Sequence, residues 1–391
     1  MISFEEAFDI VMGSCVESGT EKVHFNTSLN RILAEDIFSD ADMPPFNRAA
    51  VDGYACRRED IGKELDVVET VQAGQMPHKK PGKEQCVKIM TGSIVPEGCN
   101  MVFMVEDSRE VSPGKVVFTG SSSKSNMSLR GEDVRAGDRV LSSGKMIKPQ
   151  DIALMASVGH TEVLVARKPR TGIMSTGDEL VEPSEKPDLS HIRNSNAYQL
   201  VAQVERAGGL PVYYGIAPDN EELTYRMVIK AVDENEIVLL TGGVSMGDFD
   251  FVPGVLRKAG VKILFDQVRV QPGKPTTFGV HDKAVVFGLP GNPVSSFVQF
   301  ETLVRPLINL KMGHHWKSPV MILPMADDYR RRSADRAGWI PVIITGESEV
   351  RPVEYHGSAH ISSIPMADGI IPITAGQYEL KRGDRVEVRM I

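Results

Sequence analysis

Residues 236–256, EIVLLTGGVSMGDFDFVPGVL, decide how this chain is read. The apolar run Ile237–Leu240 has the length and composition of a buried strand, and it breaks into Thr241-Gly242-Gly243-Val244-Ser245-Met246-Gly247 before a helical pattern begins. Glycines let backbone N–H groups approach an anion closely, and a helix N-terminus adds partial positive charge, so Thr241, Gly242, Gly243, Ser245 and Gly247 are candidates for a phosphate cradle. The string is neither a Walker A loop nor GxGxxG, and it also fits an ordinary tight turn between a strand and a helix.

Working outward, the same alternation recurs on both sides. TGIMS (171–175), NAYQLVAQVERAGG (196–209), PVYYGIA (211–217), EELTYRMVIKAVDEN (221–235) and FVPGVLRKAG (251–260) alternate strand and helix periods. Repeated βα units imply a mainly parallel sheet with helices on both faces and ligands beyond the carboxyl ends of its strands. Two further loops are expected at that edge. RTGIMSTGDELVEP (170–183) places Ser175, Thr176, Gly177, Asp178 and Glu179 at a strand end. KAVVFGLPGNPVSSFVQFETLVRPLI (283–308) ends its strand in Pro290, Gly291, Asn292 and Pro293, with Asn292 suited to an N-cap and Pro293 to the first helical position. Lys274, in the rigid turn QPGKP (271–275), is a candidate anion contact.

Asp178, Glu179, Asp219, Asp248 and Asp250 all fall at or just past these strand ends. Phosphate sites commonly hold Mg²⁺ through one or two carboxylates, so a metal-assisted transfer at phosphorus is the natural chemistry; Asp178 and Asp219 equally suit helix capping. The nine histidines include no HExxH, no GxSxG elbow occurs, and no zinc centre is expected.

The rest of the chain divides around this α/β core. Residues 1–46 with 141–169 form an N-terminal helical and connector domain: Ser3 and Glu6 fit a capping box, Pro149 starts a second helix, and Leu33–Phe46 reads as an exposed connector. Short β runs over 47–140 form a second, β-rich domain, in which Asp52, Thr91, Glu106, Asp107 and Asp133 cluster near glycine turns. The α/β domain spans 170–313, and residues 314–391 form a C-terminal β domain, barrel-like in its spacing of short strands.

Composition sets bounds on function. The 391 residues carry 44 Lys and Arg against 52 Asp and Glu, a net charge of −8, which provides no broad field for nucleic acid or anionic lipid. Four cysteines without a CxxC pair suit a reducing compartment, and the N-terminus has no basic region followed by an apolar run. A cytoplasmic protein outside the membrane is expected.

Several strings, in order and spacing, resemble the molybdopterin molybdenumtransferases, the MoeA and gephyrin E-domain family. They are FNRAAVDGYA (46–55), IMTGSIVPEGCNMVFMVED (89–107), RGEDVRAGDRVL (130–141), STGDEL (175–180), NSNAYQLVAQVERAGG (194–209), TGGVSMGDFDF (241–251), PGKPTTFG (272–279) and GLPGNPVSSFV (288–298). The resemblance implies insertion of molybdate-derived molybdenum into adenylyl-molybdopterin, with release of AMP and a divalent cation such as Mg²⁺. It also implies a homodimer whose active cleft lies between the α/β domain, similar to the separate MogA-like molybdopterin adenylyltransferases, and the partner's second domain. Transient contact with such an adenylyltransferase is a further expectation.

Carried over by motif, Asp52, Thr91 and Asp133 are polar cleft residues, with Asp52 and Thr91 holding molybdate across the dimer. Glu179, Asp219 and Asp250 organise metal and phosphate, and Pro290 and Pro293 stiffen a binding loop. The chain departs from the family pattern at Gln267, Gln271 and Ser128, where basic residues are usual, and at Trp339 and Pro341; Arg130, Arg269 and Lys274 are candidates to compensate. An adenylyltransferase acting on the pterin itself, a non-catalytic gephyrin-like scaffold, and a preference for tungstate are the competing expectations.

Overall fold

The computed structural model describes residues 1–122, 124–243, 252–354 and 359–391. Helix α1 (Phe4–Gly13) opens on a capping box: Glu6 N–H donates to Ser3 Oγ at 3.1 Å and Ser3 N–H to Glu6 Oε2 at 2.8 Å. Helix α2 (Pro149–Ser157) begins at a proline and is steadied by buried Asp151, which accepts from Lys148 N–H and Lys145 Nζ. Strand Thr20–His24 pairs with Glu162–Ala166 and Ile37–Phe38 with Arg139–Leu141, so the chain leaves this region and returns to it. The segment expected to be an exposed connector is therefore partly core. Leu33 and Ile37 are buried against Leu141, Ile147 and Met155, an apolar pair four residues apart that the surrounding acids disguised.

Residues between these pieces build a six-stranded sheet in the order Met101–Met104, Gly53–Cys56, Gln85–Ile89, Glu64–Val71, Lys115–Phe118, Ser108–Ser112. Gly53 lies where a Cβ would meet Phe103 O at 1.9 Å, so only glycine lets the first two strands approach this closely.

The central domain is three-layered. Its strands are β1 (Arg170–Thr176), β2 (Leu210–Ala217), β3 (Ile237–Thr241), β4 (Lys262–Phe265), β5 (Thr277–Val280) and β6 (Val285–Leu289), in spatial order β2-β1-β3-β6-β5-β4. The first four in that order are parallel, and β5 runs against both of its neighbours. Every residue of β3 and β6 is buried, as expected for strands covered on both faces. Helices α3 (Asn196–Arg206), α6 (Pro293–Gln299) and α7 (Arg305–Lys311) cover one face together with α1, while α4 (Glu221–Glu234) and α5 (Val252–Lys258) cover the other. A π-helical stretch, Phe300–Val304, joins α6 to α7.

The C-terminal sheet is ordered Val270–Gln271, Ala337–Ile344, Gly369–Ile373, Arg385–Met390, Val320–Pro324, with Val350–Pro352 beside its second strand. Its first strand is thus donated from within the α/β domain, between β4 and β5, and Ile2 bridges to Val268 just before it. Within the C-terminal β domain, Ile361–Met366 is a 3-10 turn with Pro365 inside it. No helix among the described residues is long and apolar enough to cross a membrane.

Candidate active site

Because β1, β3 and β6 are parallel neighbours, the loops after Thr176, Thr241 and Leu289 leave the same edge of the sheet side by side. The three expected loops do meet. Gly242 N–H donates to Leu289 O at 3.3 Å, and Thr241 Oγ1 donates to Pro290 O at 3.3 Å. A Cβ on Gly242, at φ +94°, would lie 2.4 Å from Thr176 O, so the loop packs against its neighbour through bare backbone. A Cβ on Gly243 would lie 2.8 Å from Thr176 Oγ1, itself buried with no hydrogen-bond partner among the described residues. Because β5 is antiparallel and Thr277 pairs with Gly288, the turn carrying exposed Lys274 reaches the same rim; the Lys274 carbonyl accepts from Val268 and Thr276 N–H.

One residue that sequence reasoning did not single out holds the rim together. Asn196, the first residue of α3, donates from Nδ2 to Thr241 Oγ1 at 2.9 Å and to Gly291 O at 2.7 Å. Its neighbour Asn194 is buried, accepts from Ser175 Oγ at 2.9 Å and donates to Tyr213 Oη at 2.8 Å. Tyr213 in turn donates to Glu182, and burial, followed by Glu182, pushes its phenol well above the usual range. The available signal was an Asn-Ser-Asn run opening a helical pattern.

Asp178 and Asp219 are joined by their loops: Asp219 N–H donates to Asp178 Oδ1 at 2.9 Å and Asp178 N–H to Asp219 Oδ2 at 3.4 Å. Glu179 folds back over Gly177, where a Cβ would lie 2.2 Å from Glu179 Oε2. Asn292 precedes the first residue of α6, Pro293, with Pro290 buried in the same turn. Ser245, Gly247, Asp248 and Asp250 lie outside the described residues. Among those described, no group of three His, Cys, Asp or Glu side chains is arranged to hold a metal ion.

In the second domain, Asp52 and Thr91 are brought together. Asp52 Oδ1 accepts from both the hydroxyl and the N–H of Thr91 at 2.6 Å, and these bonds hold the Asp52 carboxyl below the usual carboxylate range. Asp133 is exposed, its N–H donating to Met43 O. No hydrogen bond or ion pair among the described residues joins Asp52, Thr91 or Asp133 to the rim of the α/β domain. Arg130 Nε donates to Asp42 at 2.6 Å, while Arg269 is exposed and Trp339 is buried edge-on to Phe4.

The chain matches the MoeA N-terminal region (domain I and II) over residues 2–159, a probable molybdopterin binding domain over 172–310 and the MoeA C-terminal region (domain IV) over 323–391. The molybdopterin molybdenumtransferase of Staphylococcus epidermidis is 34% identical over 397 residues, covering 99% of this chain and 95% of that one. The corresponding Bacillus subtilis protein is 31% identical, covering 100% and 94%. The crystal structure of the molybdopterin biosynthesis MoeA protein from Pyrococcus horikoshii OT3 superposes with a TM-score of 0.88 at 31% identity, covering 100% of both chains. From these matches along its whole length, and a fold shared throughout, the chain belongs to the MoeA family of molybdopterin molybdenumtransferases.

Proposed function

We propose that this chain inserts molybdenum, delivered as molybdate, into adenylylated molybdopterin and releases AMP. The observation that carries the reading is the meeting of three strand-to-helix loops at one rim, lined by backbone at Gly242 and Gly243 and clasped by Asn196. Such a rim accepts a phosphate ester close to main-chain N–H groups and the start of α3. Thr241, Gly242, Gly243 and Pro290–Pro293 cradle the phosphorylated pterin, Ser175 braces the first loop through Asn194, and Lys274 supplies positive charge.

The donor chemistry at the rim fits Mg²⁺. Asp178 and Asp219 each spend one carboxylate oxygen on the other's N–H and keep the second, and Mg²⁺ commonly takes one or two carboxylates beside waters and phosphate. Asp219 and Glu179 would hold the ion with Asp250. When bound, it would neutralise charge on the phosphate as AMP leaves. Asp52 and Thr91 act from the partner subunit of a homodimer, Thr91 fixing the Asp52 carboxylate that faces the incoming oxyanion. Carboxylates alone cannot retain an oxyanion, so main-chain N–H groups and Lys274 offset the charge. The four free thiols, with Cys56 and Cys86 buried, suit work in the cytoplasm.

The test is to mix purified protein with adenylylated molybdopterin, Mg²⁺ and either molybdate or tungstate, then measure AMP release and reconstitution of an apo-enzyme. AMP release that requires the oxyanion is expected. ATP consumption with metal-free pterin in the absence of oxyanion would instead assign the adenylylation step.

A further inference from the structure

We propose a second anion-binding site, remote from the rim, in a cavity of about 530 Å³ between the N-terminal domain, the C-terminal end of α3 and one side of α7. Helix α3 starts at the rim with Asn196 and ends at this cavity with Arg206; its 11 residues at about 1.5 Å each separate the two places by roughly 16 Å. The ligand is a small phosphate-bearing anion.

The cavity wall is rich in cations. Arg31, Lys168, Arg206 and Arg305 line it, with Glu205 the acid among the lining side chains. Buried Glu301 is shared by Arg206 and Arg305, and Glu21 pairs with Arg31, which leaves Lys168 with no ion pair among the described residues. In a chain of net charge −8, this is a local concentration of cations rather than part of a general field.

Two buried guanidinium donors at the cavity are left over. Arg31 Nε and Arg305 Nε are buried with no acceptor, and they are the charged side-chain atoms in that condition among the described residues. Both arginines line the same cavity. Each guanidinium keeps its carboxylate partner, yet one buried N–H of each has no acceptor, so this corner of the fold is short of a hydrogen-bond acceptor. A phosphate group there supplies it.

Trp316, on the cavity wall with the Arg305 guanidinium 4.3 Å from its ring centroid, provides a reporter. The protein has two tryptophans, so Trp339→Phe leaves Trp316 as the sole tryptophan, excited selectively over the tyrosines at the red edge. The full chain is titrated at low ionic strength, without magnesium, with sodium pyrophosphate in one arm and AMP in another. A saturable change in emission is expected, weakened about tenfold by Lys168→Glu and by raised salt. A response to both probes assigns the affinity to phosphate; a response to AMP alone assigns it to a nucleotide. Calorimetric titration of the protein with both tryptophans in place, with and without Lys168→Glu, covers the case in which Trp339→Phe disturbs the fold. Lys168 is exposed and outside the rim, so molybdenum insertion by Lys168→Glu should be unchanged. No saturable binding of either probe up to millimolar concentration, or equal affinity in native protein and Lys168→Glu, overturns the proposal.

Discussion

Asp178 and Asp219 lock two loops of the rim by exchanging backbone-to-carboxylate hydrogen bonds, each accepting from the main chain of the other. The exchange fixes the direction of both carboxylates before any ligand arrives. Asp219→Asn keeps an oxygen that can accept from Asp178 N–H but removes the charge. AMP release should fall about 100-fold, the loss typical for one electrostatic contact in a transition state, with thermal unfolding essentially unmoved. Undiminished turnover would remove Asp219 from the reaction.

Gly242 offers a stricter probe of the rim. A methyl group there meets Thr176 O at 2.4 Å in a backbone conformation of φ +94°, so one of the two loops must move. Gly242→Ala should cost about 1–3 kcal/mol of stability and abolish pterin binding, read by denaturant unfolding and by equilibrium dialysis. Full binding with unchanged stability would show that the loops do not pack as described.

Thr91 governs the titration of Asp52. Its hydroxyl, then its N–H, stabilises the Asp52 carboxylate and depresses its pKa against a smaller opposing effect of burial. A depressed folded-state pKa contributes stability that is present above the unfolded-state value and is lost as pH falls through the folded-state value. Thr91→Val removes the hydroxyl, so Asp52 should titrate at higher pH in a carbon-detected NMR experiment. An unmoved midpoint would contradict the hydrogen-bond assignment.

Glu301, within the π-helical stretch, is a buried acid facing α3 and accepts from Gln203, Arg206 and Arg305. Removing one member of such a cluster leaves uncompensated charge, and Glu301→Ala should cost about 3 kcal/mol in chemical denaturation. A change below about 0.5 kcal/mol would place the cluster with exposed ion pairs instead.

The thiols of the second domain should be inert. Burial, as the largest cause, pushes Cys56, Cys86 and Cys99 up to about 12. Thiolate is the reacting form, so at pH 8 an alkylating reagent should leave all three unmodified in the folded protein and label them once denaturant is added. Rapid labelling without denaturant would refute their burial.

The parts of this architecture that were legible in the sequence are those written in neighbouring residues. The parallel strands appear as unbroken apolar runs such as Ile237–Leu240, and the loops appear as glycine and proline at fixed places after them. The clasp by Asn196 was not legible, because its partners stand 45 and 95 residues away and no local pattern encodes such a pairing. Asp52 and Thr91, 39 residues apart, were united only by the pairing of their strands and by family resemblance. Leu33 and Ile37 were mistaken for connector because acids and prolines surround them, whereas their burial depends on a return of the chain near Leu141.

The strand Val270–Gln271 has a mechanical consequence. It is stitched to Ala337–Gly338 on one side, Ile2 is bonded to the residues just before it, and the Lys274 turn follows it directly. Three distant stretches of chain therefore share one suture beside the rim. The last domain cannot swing as an independent flap without dragging the lysine along, so the placement of that ammonium group is governed by sequence more than sixty positions downstream.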